Sequence, residues 1–239
     1  MPSTGNLSFL FAQFMKIGII VAMDKELRLL LPIMADTSAV NANGYEFHLG
    51  KIGAHEVVAM KCGIGKVNAA LGTLTMIENF HPSLIVNSGV AGGTGAGEQP
   101  LQVLDVLLAT RICYHDVWCG PGTEPGRAAG CPAFFECPLP AELRNALGAR
   151  EGLLASGDIF VDKVSDIERI TSLYPDALAV DMESAAIAQT CYMKCVPFVC
   201  VRVISDTPGK EGNAAAYTDF WASAPERTFE VVEKLLAIL

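Results

Sequence analysis

Nowhere in the 239 residues do lysine and arginine cluster; there are 17 of them against 26 aspartates and glutamates, for a formal net charge of -9. A surface that neutralises nucleic-acid or membrane phosphates needs concentrated positive charge. Neither partner is therefore expected, although one or two basic residues would suffice to hold a small anion locally. Long apolar runs are missing too, since the longest fall short of the about 20 residues that a bilayer-spanning helix requires. Residues 7–14 are apolar, but no lysine or arginine precedes them and no clear small-residue cleavage site follows, which argues against a signal peptide. We read residues 1–14 as a disordered or loosely docked extension, with Met15 as a candidate alternative start, and expect one compact domain over 15–239.

Cysteines with metal-ligand spacing are also absent. None of the eight forms a C-x-x-C pair, so no metal is expected. Several sit inside apolar runs such as 197–201, where a free thiol behaves as a small buried hydrophobe; this fits a reducing cytoplasm better than a disulfide scaffold. Histidines number only four. His48 and His55 fall in a hairpin and His81 precedes a proline, which leaves a Ser-His-Asp arrangement without support, and His115 reads as a hydrogen-bonded structural residue.

What the chain has is apolar content, 51% of its residues, arranged in short periodic segments. Residues 16–22 form a β-branched apolar run typical of a strand buried on both faces. A short helix should begin near Asp24 and stop around Pro32. Alternation over 45–50 and a β-rich run at 55–62 read as a hairpin across Gly53-Ala54. In the helix expected over 66–80, Val67, Ala70, Leu71, Leu74 and Ile77 recur at helical spacing as a core-facing stripe. A strand at 84–88 runs into the glycine-rich segment 89–97, another spans 105–112, and a loop rich in glycine, proline and cysteine covers 117–140. The second half alternates helix 141–149, strand 152–156, helix 164–173, strand 178–181, helix 183–191, strand 198–205 and a last helix from about Pro225. Such alternation implies helices on both sides of a mostly parallel or mixed sheet.

In such sheets ligands bind beyond the carboxyl ends of the strands. Reading only those ends collects Met23 and Glu26, residues 63–66, the glycine segment, Phe160, Met182-Glu183 and Ser205-Asp206. Each carboxylate has an ordinary explanation: Glu26 as a solvated helix residue, Glu183 as a favourable charge in a first helical turn, Asp206 as a turn former. Together, however, they can separate their pKa values and supply both an acid and a base. Two phosphate motifs are weaker. Gly63-Ile64-Gly65-Lys66 resembles the end of a P-loop, but Met60 stands at its leading glycine and Val67 replaces the magnesium-binding Ser or Thr. The glycine segment lacks the immediate helix of a dinucleotide fingerprint, because Gln99-Pro100 interrupts it.

KIGIIVAM at 16–23 with Glu26, CGIGKVNAA at 62–70, NSGVAGG at 87–93, YHD at 114–116, GCP at 130–132, SGD at 156–158, VDMESAA at 180–186 and VRVISD at 201–206 follow one another as family blocks. They make the chain similar to 5′-methylthioadenosine/S-adenosylhomocysteine nucleosidases of the nucleoside phosphorylase/nucleosidase superfamily, over nearly its whole length from Met15. The resemblance implies a three-layer α/β/α fold with a central mixed, twisted sheet, a homodimer, and hydrolysis of the N-glycosidic bond of adenine thionucleosides without cofactor. It implies that Asp206 protonates purine N7, Glu26 activates the water, and Glu183 holds ribose hydroxyls with Met182 against the sugar. Phe160 would stack on adenine and the Val161 backbone would read its edge, with Met23, Ile64, Ala91, Gly92 and Ser205 also lining the substrate and Arg202 positioning water or an anion. Val90 stands where these nucleosidases carry a serine at the water, Asp181 shortens a family Glu, and the loop 118–124 lacks the aromatic that in the family covers the 5′-alkylthio group across the dimer. The alternatives are a phosphorylase, a hydrolase of another 5′-modified nucleoside such as futalosine, and a non-catalytic nucleoside-binding module.

Overall fold

The computed structural model describes residues 14–137, 141–209, 212–223 and 227–239. The expected extension, apart from Phe14, lies outside the described residues, as do the last residues of the 117–140 loop and Pro225, where the final helix was expected to begin.

Among the described residues ten strands form one sheet: β1 (Lys16–Val21), β2 (Ala35–Ala42), β3 (Tyr45–Ile52), β4 (His55–Lys61), β5 (Leu84–Gly93), β6 (Val106–Tyr114), β7 (Phe135–Glu136), β8 (Arg150–Ser156), β9 (Ala177–Asp181) and β10 (Phe198–Asp206). Their helices are α1 (Asp24–Leu30), α2 (Lys66–Phe80), α3 (Ala141–Leu147), α4 (Val164–Leu173), α5 (Ser184–Lys194), α6 (Asn213–Ser223) and α7 (Arg227–Ile238). Strand β5 is the hub. It pairs in parallel with β1 and β10, and its last residues, Gly92 and Gly93, pair antiparallel with Val180 and Ala179 of β9. Because β10 continues to β6, β6 to β8 and β8 to β9, these strands close a ring, while β1, β4, β3 and β2 extend from β5 as an open wing.

The ring and its neighbours read as apolar runs because they are covered on both faces. One core unites β4, β5 and β10 with α2 and α5 through Met60, Met76, Ile85, Ile187 and Cys200. A second lies beneath α1 and α7, where Leu27, Leu30, Val232, Leu235 and Leu236 pack on Ile17, Ile19, Val86 and Val201, and a third, smaller one joins β8 and β9 to α4 through Leu153, Val180 and Ile170. Six of the eight cysteines are buried and all are free thiols.

Three sequence expectations change. The glycine segment does not leave the sheet at residue 88; β5 continues through Gly93. A strand appears at β2, paired with β3 across Asn43-Gly44, both at positive φ. The stripe on α2 holds only in part: Ile77 is buried, but Val67 is 68% and Leu71 52% exposed, and the helix turns Ala69, Gly72, Thr73 and Met76 inward as well. At Gly72 the approach is too close for a larger residue, since a Cβ there would sit 2.9 Å from Cys62 Cβ.

Candidate active site

The carboxyl ends of β1, β5, β9 and β10 surround a cleft of about 680 Å³, open to solvent at its mouth. The residues that the resemblance places at the substrate and water line it: Met23 and Glu26 after β1, Ile64 after β4, Ala91 and Gly92 on β5, Phe160 and Val161 after β8, Met182 and Glu183 after β9, and Arg202, Ser205 and Asp206 on β10; of the other strand-end residues, Gly63, Gly65, Lys66 and 93–97 do not.

Glu26 is 1% exposed, and its two oxygens differ. Oε2 accepts the Ala22 and Met23 backbone N–H groups at 2.9 Å each, capping α1. Oε1 faces β5 so closely that a Cβ on Gly89 would meet it at 2.8 Å. Gly89 is thus needed for the approach of a carboxylate to a strand. Burial pushes the Glu26 carboxyl above its usual range, opposed by the Arg202 charge and by the N–H groups of Met23, Ala22 and Val90. One residue therefore serves as both a helix cap and a reactive carboxylate candidate.

Glu183 lies before α5 and reaches across the cleft, its Oε1 accepting the Gly65 N–H at 2.8 Å. Burial, then the neighbouring Asp181 charge, raises it to about 7, against the Gly65 N–H and Arg202. The Lys66 N–H goes to Asp158 Oδ1 at 2.7 Å, and Lys66 Nζ to Asp116 at 2.7 Å. The amides that a P-loop would offer to phosphate are therefore occupied by carboxylates. The same contacts strap the loop carrying Ile64 to the loop carrying Phe160.

Asp206 ends β10, 3% exposed, and accepts the Ser205 hydroxyl at 2.6 Å. Burial raises its pKa; Ser205 and Asn213 oppose the rise. Arg202, also buried, has Nε and Nη2 on Asp181 Oδ2 at 3.1 and 2.8 Å and Nη2 on Ser184 Oγ at 2.7 Å, with a further bond to Asn87. Only its Nη1 edge lies toward Gly89 and Glu26, a Cβ on Gly89 coming within 3.5 Å of it. Its charge is largely met by Asp181, so Arg202 offers little to an anion beside Glu26.

Phe160 is 49% and Ile64 53% exposed at the mouth. His115 is buried beside Arg169, which donates to its backbone carbonyl at 2.7 Å; burial lowers its pKa, and it does not line the cleft. Among the described residues no cluster of three or more His, Cys, Asp or Glu could hold a metal ion, and no helix is long and apolar enough to cross a membrane. The sequence reading missed Tyr217, which lines the cleft from α6 with its ring 5.7 Å from that of Phe160. The Tyr217 and Trp221 spacing, one helical turn apart, was its available signal.

Over residues 16–237 the chain matches the model of the phosphorylase superfamily. It is similar to the solved S-adenosylhomocysteine nucleosidase of Streptococcus pyogenes in complex with 5-methylthiotubericidin, with 33% identity over 94% of this chain and 98% of that one and a TM-score of 0.86. A 5′-methylthioadenosine/S-adenosylhomocysteine nucleosidase of Colwellia psychrerythraea in complex with adenine gives 34%, 95%, 96% and 0.87. Futalosine hydrolase of Helicobacter pylori gives 28%, 94%, 98% and 0.83.

Proposed function

The chain belongs to the phosphorylase superfamily, and we propose from this that it is a nucleosidase, hydrolysing the N-glycosidic bond of adenine thionucleosides to adenine and the thioribose. The observation that carries the reading is the cleft with three buried carboxylates on separate elements, each with its pKa raised, lined by every residue to which the resemblance gives a place at the substrate or water. In this reading Asp206 holds a proton in its buried setting and gives it to purine N7, so that adenine leaves neutral. Glu26 Oε1 takes the proton of the attacking water, and Glu183 holds the ribose hydroxyls beside Met182. Phe160 stacks on the base while the Val161 backbone reads its edge. Departure of the base leaves an oxocarbenium-like sugar, which the nearby carboxylates stabilise electrostatically.

Water rather than phosphate fits the cleft because the Gly65 and Lys66 amides and most of the Arg202 guanidinium are already engaged. Purified protein is expected to release adenine from methylthioadenosine in phosphate-free buffer. A chromatographic assay with and without phosphate checks this, with futalosine as a further substrate; strict dependence on phosphate with ribose 1-phosphate as product would make it a phosphorylase. The free buried thiols fit a cytoplasmic enzyme, and the products fit methionine salvage.

We also propose a homodimer. Ile64, Val67 and Leu71, at and before one face of α2, and Tyr192 and Met193 at the end of α5 are each more than half exposed, an apolar surface of the kind that a partner covers. It adjoins the cleft through Ile64, and a second copy seated there would finish the mouth. Light scattering is expected to give a dimer, with Leu71→Glu shifting it to monomer and lowering activity; a fully active unmodified monomer would overturn the idea.

A further inference from the structure

Lys25 stands on α1 next to Glu26 but points to a different neighbourhood. Its Nζ donates to the Tyr217 hydroxyl at 3.2 Å and lies 4.6 Å from the centroid of the Tyr217 ring and 3.8 Å from that of Trp221. Among the described residues the lysine ion pairs are made by Lys16, Lys51, Lys61, Lys66 and Lys194, and Lys25 has none. Partial burial lowers its pKa, against the nearby Glu26 charge. A half-buried ammonium held by two aromatic faces and a hydroxyl, with Glu26 near it but no ion pair among the described residues, can take a further anion.

Tyr217 connects this cation to the cleft. Its ring lines the cleft in edge contact with Phe160, and its hydroxyl is 3.5 Å from Met23 Sδ. Because that oxygen accepts from Lys25, its own proton is polarised and free for a better acceptor than a thioether. With the base at Asp206 and Val161 and the ribose at Glu183, the 5′ substituent is placed against Met23 and Tyr217, whose Sδ and hydroxyl are 3.5 Å apart, and Ile64 at the mouth.

Resting on the nucleosidase reading, we infer that Tyr217 and Lys25 form a carboxylate-docking subsite at the 5′ end of the cleft, selecting nucleosides whose 5′ substituent carries a carboxylate over those that lack one. The Tyr217 O–H donates to the carboxylate and Lys25 supplies the charge behind it, a charge-assisted pair of the stronger kind. Trp221 holds the ammonium in place.

The test compares S-adenosylhomocysteine with its decarboxylated counterpart, which keeps the thioether and amine. The ratio of their kcat/KM values is expected to favour the carboxylate in the unmodified protein and to fall about tenfold in Lys25→Gln, through KM, since one charge-assisted contact is worth that much. Lys25→Arg retains most of the ratio, and Tyr217→Phe lowers it in the same direction. A ratio that Lys25→Gln leaves unchanged, or two substrates that lose equally, overturns the subsite while leaving the nucleosidase reading intact. Should no nucleoside be turned over, that reading fails instead, and calorimetric affinities of the same two compounds for the same variants still decide the subsite.

Discussion

Asparagine in place of Asp206 is expected to cut kcat by about 10²–10⁴-fold, the usual worth of a general acid, while the calorimetric Kd for nucleoside stays close to that of the unmodified protein. The amide has the same shape and can take the Ser205 hydroxyl bond on its oxygen, but it has no carboxyl proton for purine N7. The pH profile sharpens the test. Burial holds the Asp206 proton above the usual carboxylate range, so the rate should fall as pH climbs through that raised value, and this limb should vanish in Asp206→Asn. Stability follows the same sign. The folded state keeps this proton longer than the unfolded chain, so the contribution is full below the unfolded pKa and lost as pH rises through the folded one. A variant with near-normal kcat would return Asp206 to the role of a turn former.

Glu26→Gln is expected to lose a similar factor, about 10²–10⁴ in kcat, for the complementary reason. The glutamine carbonyl oxygen can still receive the Ala22 and Met23 N–H groups that Oε2 receives now, so α1 stays capped and thermal unfolding should change little. What changes is the atom facing Gly89, where an NH₂ group replaces an oxygen able to accept a proton from water. Glu26 must be ionised to act, so activity should rise with pH through its raised pKa, and the variant should lack that rising limb. If the substitution raises KM alone, the base lies elsewhere and Glu26 is only a helix cap.

Most of the site was legible because its residues follow strand ends, and strands buried on both faces announce themselves as apolar runs. The helices α2 and α4 fall where periodicity places them. Errors arose where packing overrode pattern. On α2 Val67 and Leu71 point outward while Gly72 takes the close approach to Cys62, and composition alone does not register that distance. β2 is almost wholly exposed, so it shows no alternation; its one clear mark was Asn43-Gly44, a strong two-residue hairpin signal that the reading passed over. Tyr217 was missed with the whole of α6, whose Ala-rich start carries no polar-apolar rhythm.

The three-sided pairing of β5 bears on how the protein breathes. Its amides are bonded on both edges by β1, β10 and, at the end, β9, and its side chains sit in both larger cores, so no local fluctuation frees this strand short of opening the sheet. α6, by contrast, is a single helix resting mainly on β10, and helices of that kind detach at a fraction of the global cost. The cleft therefore has one wall fixed to the slowest-exchanging part of the molecule and one that can lift. Deuterium uptake should separate 84–93 from 213–223 by the longest interval in the chain, and equal protection of the two would mean that nucleosides enter and adenine leaves by some other movement.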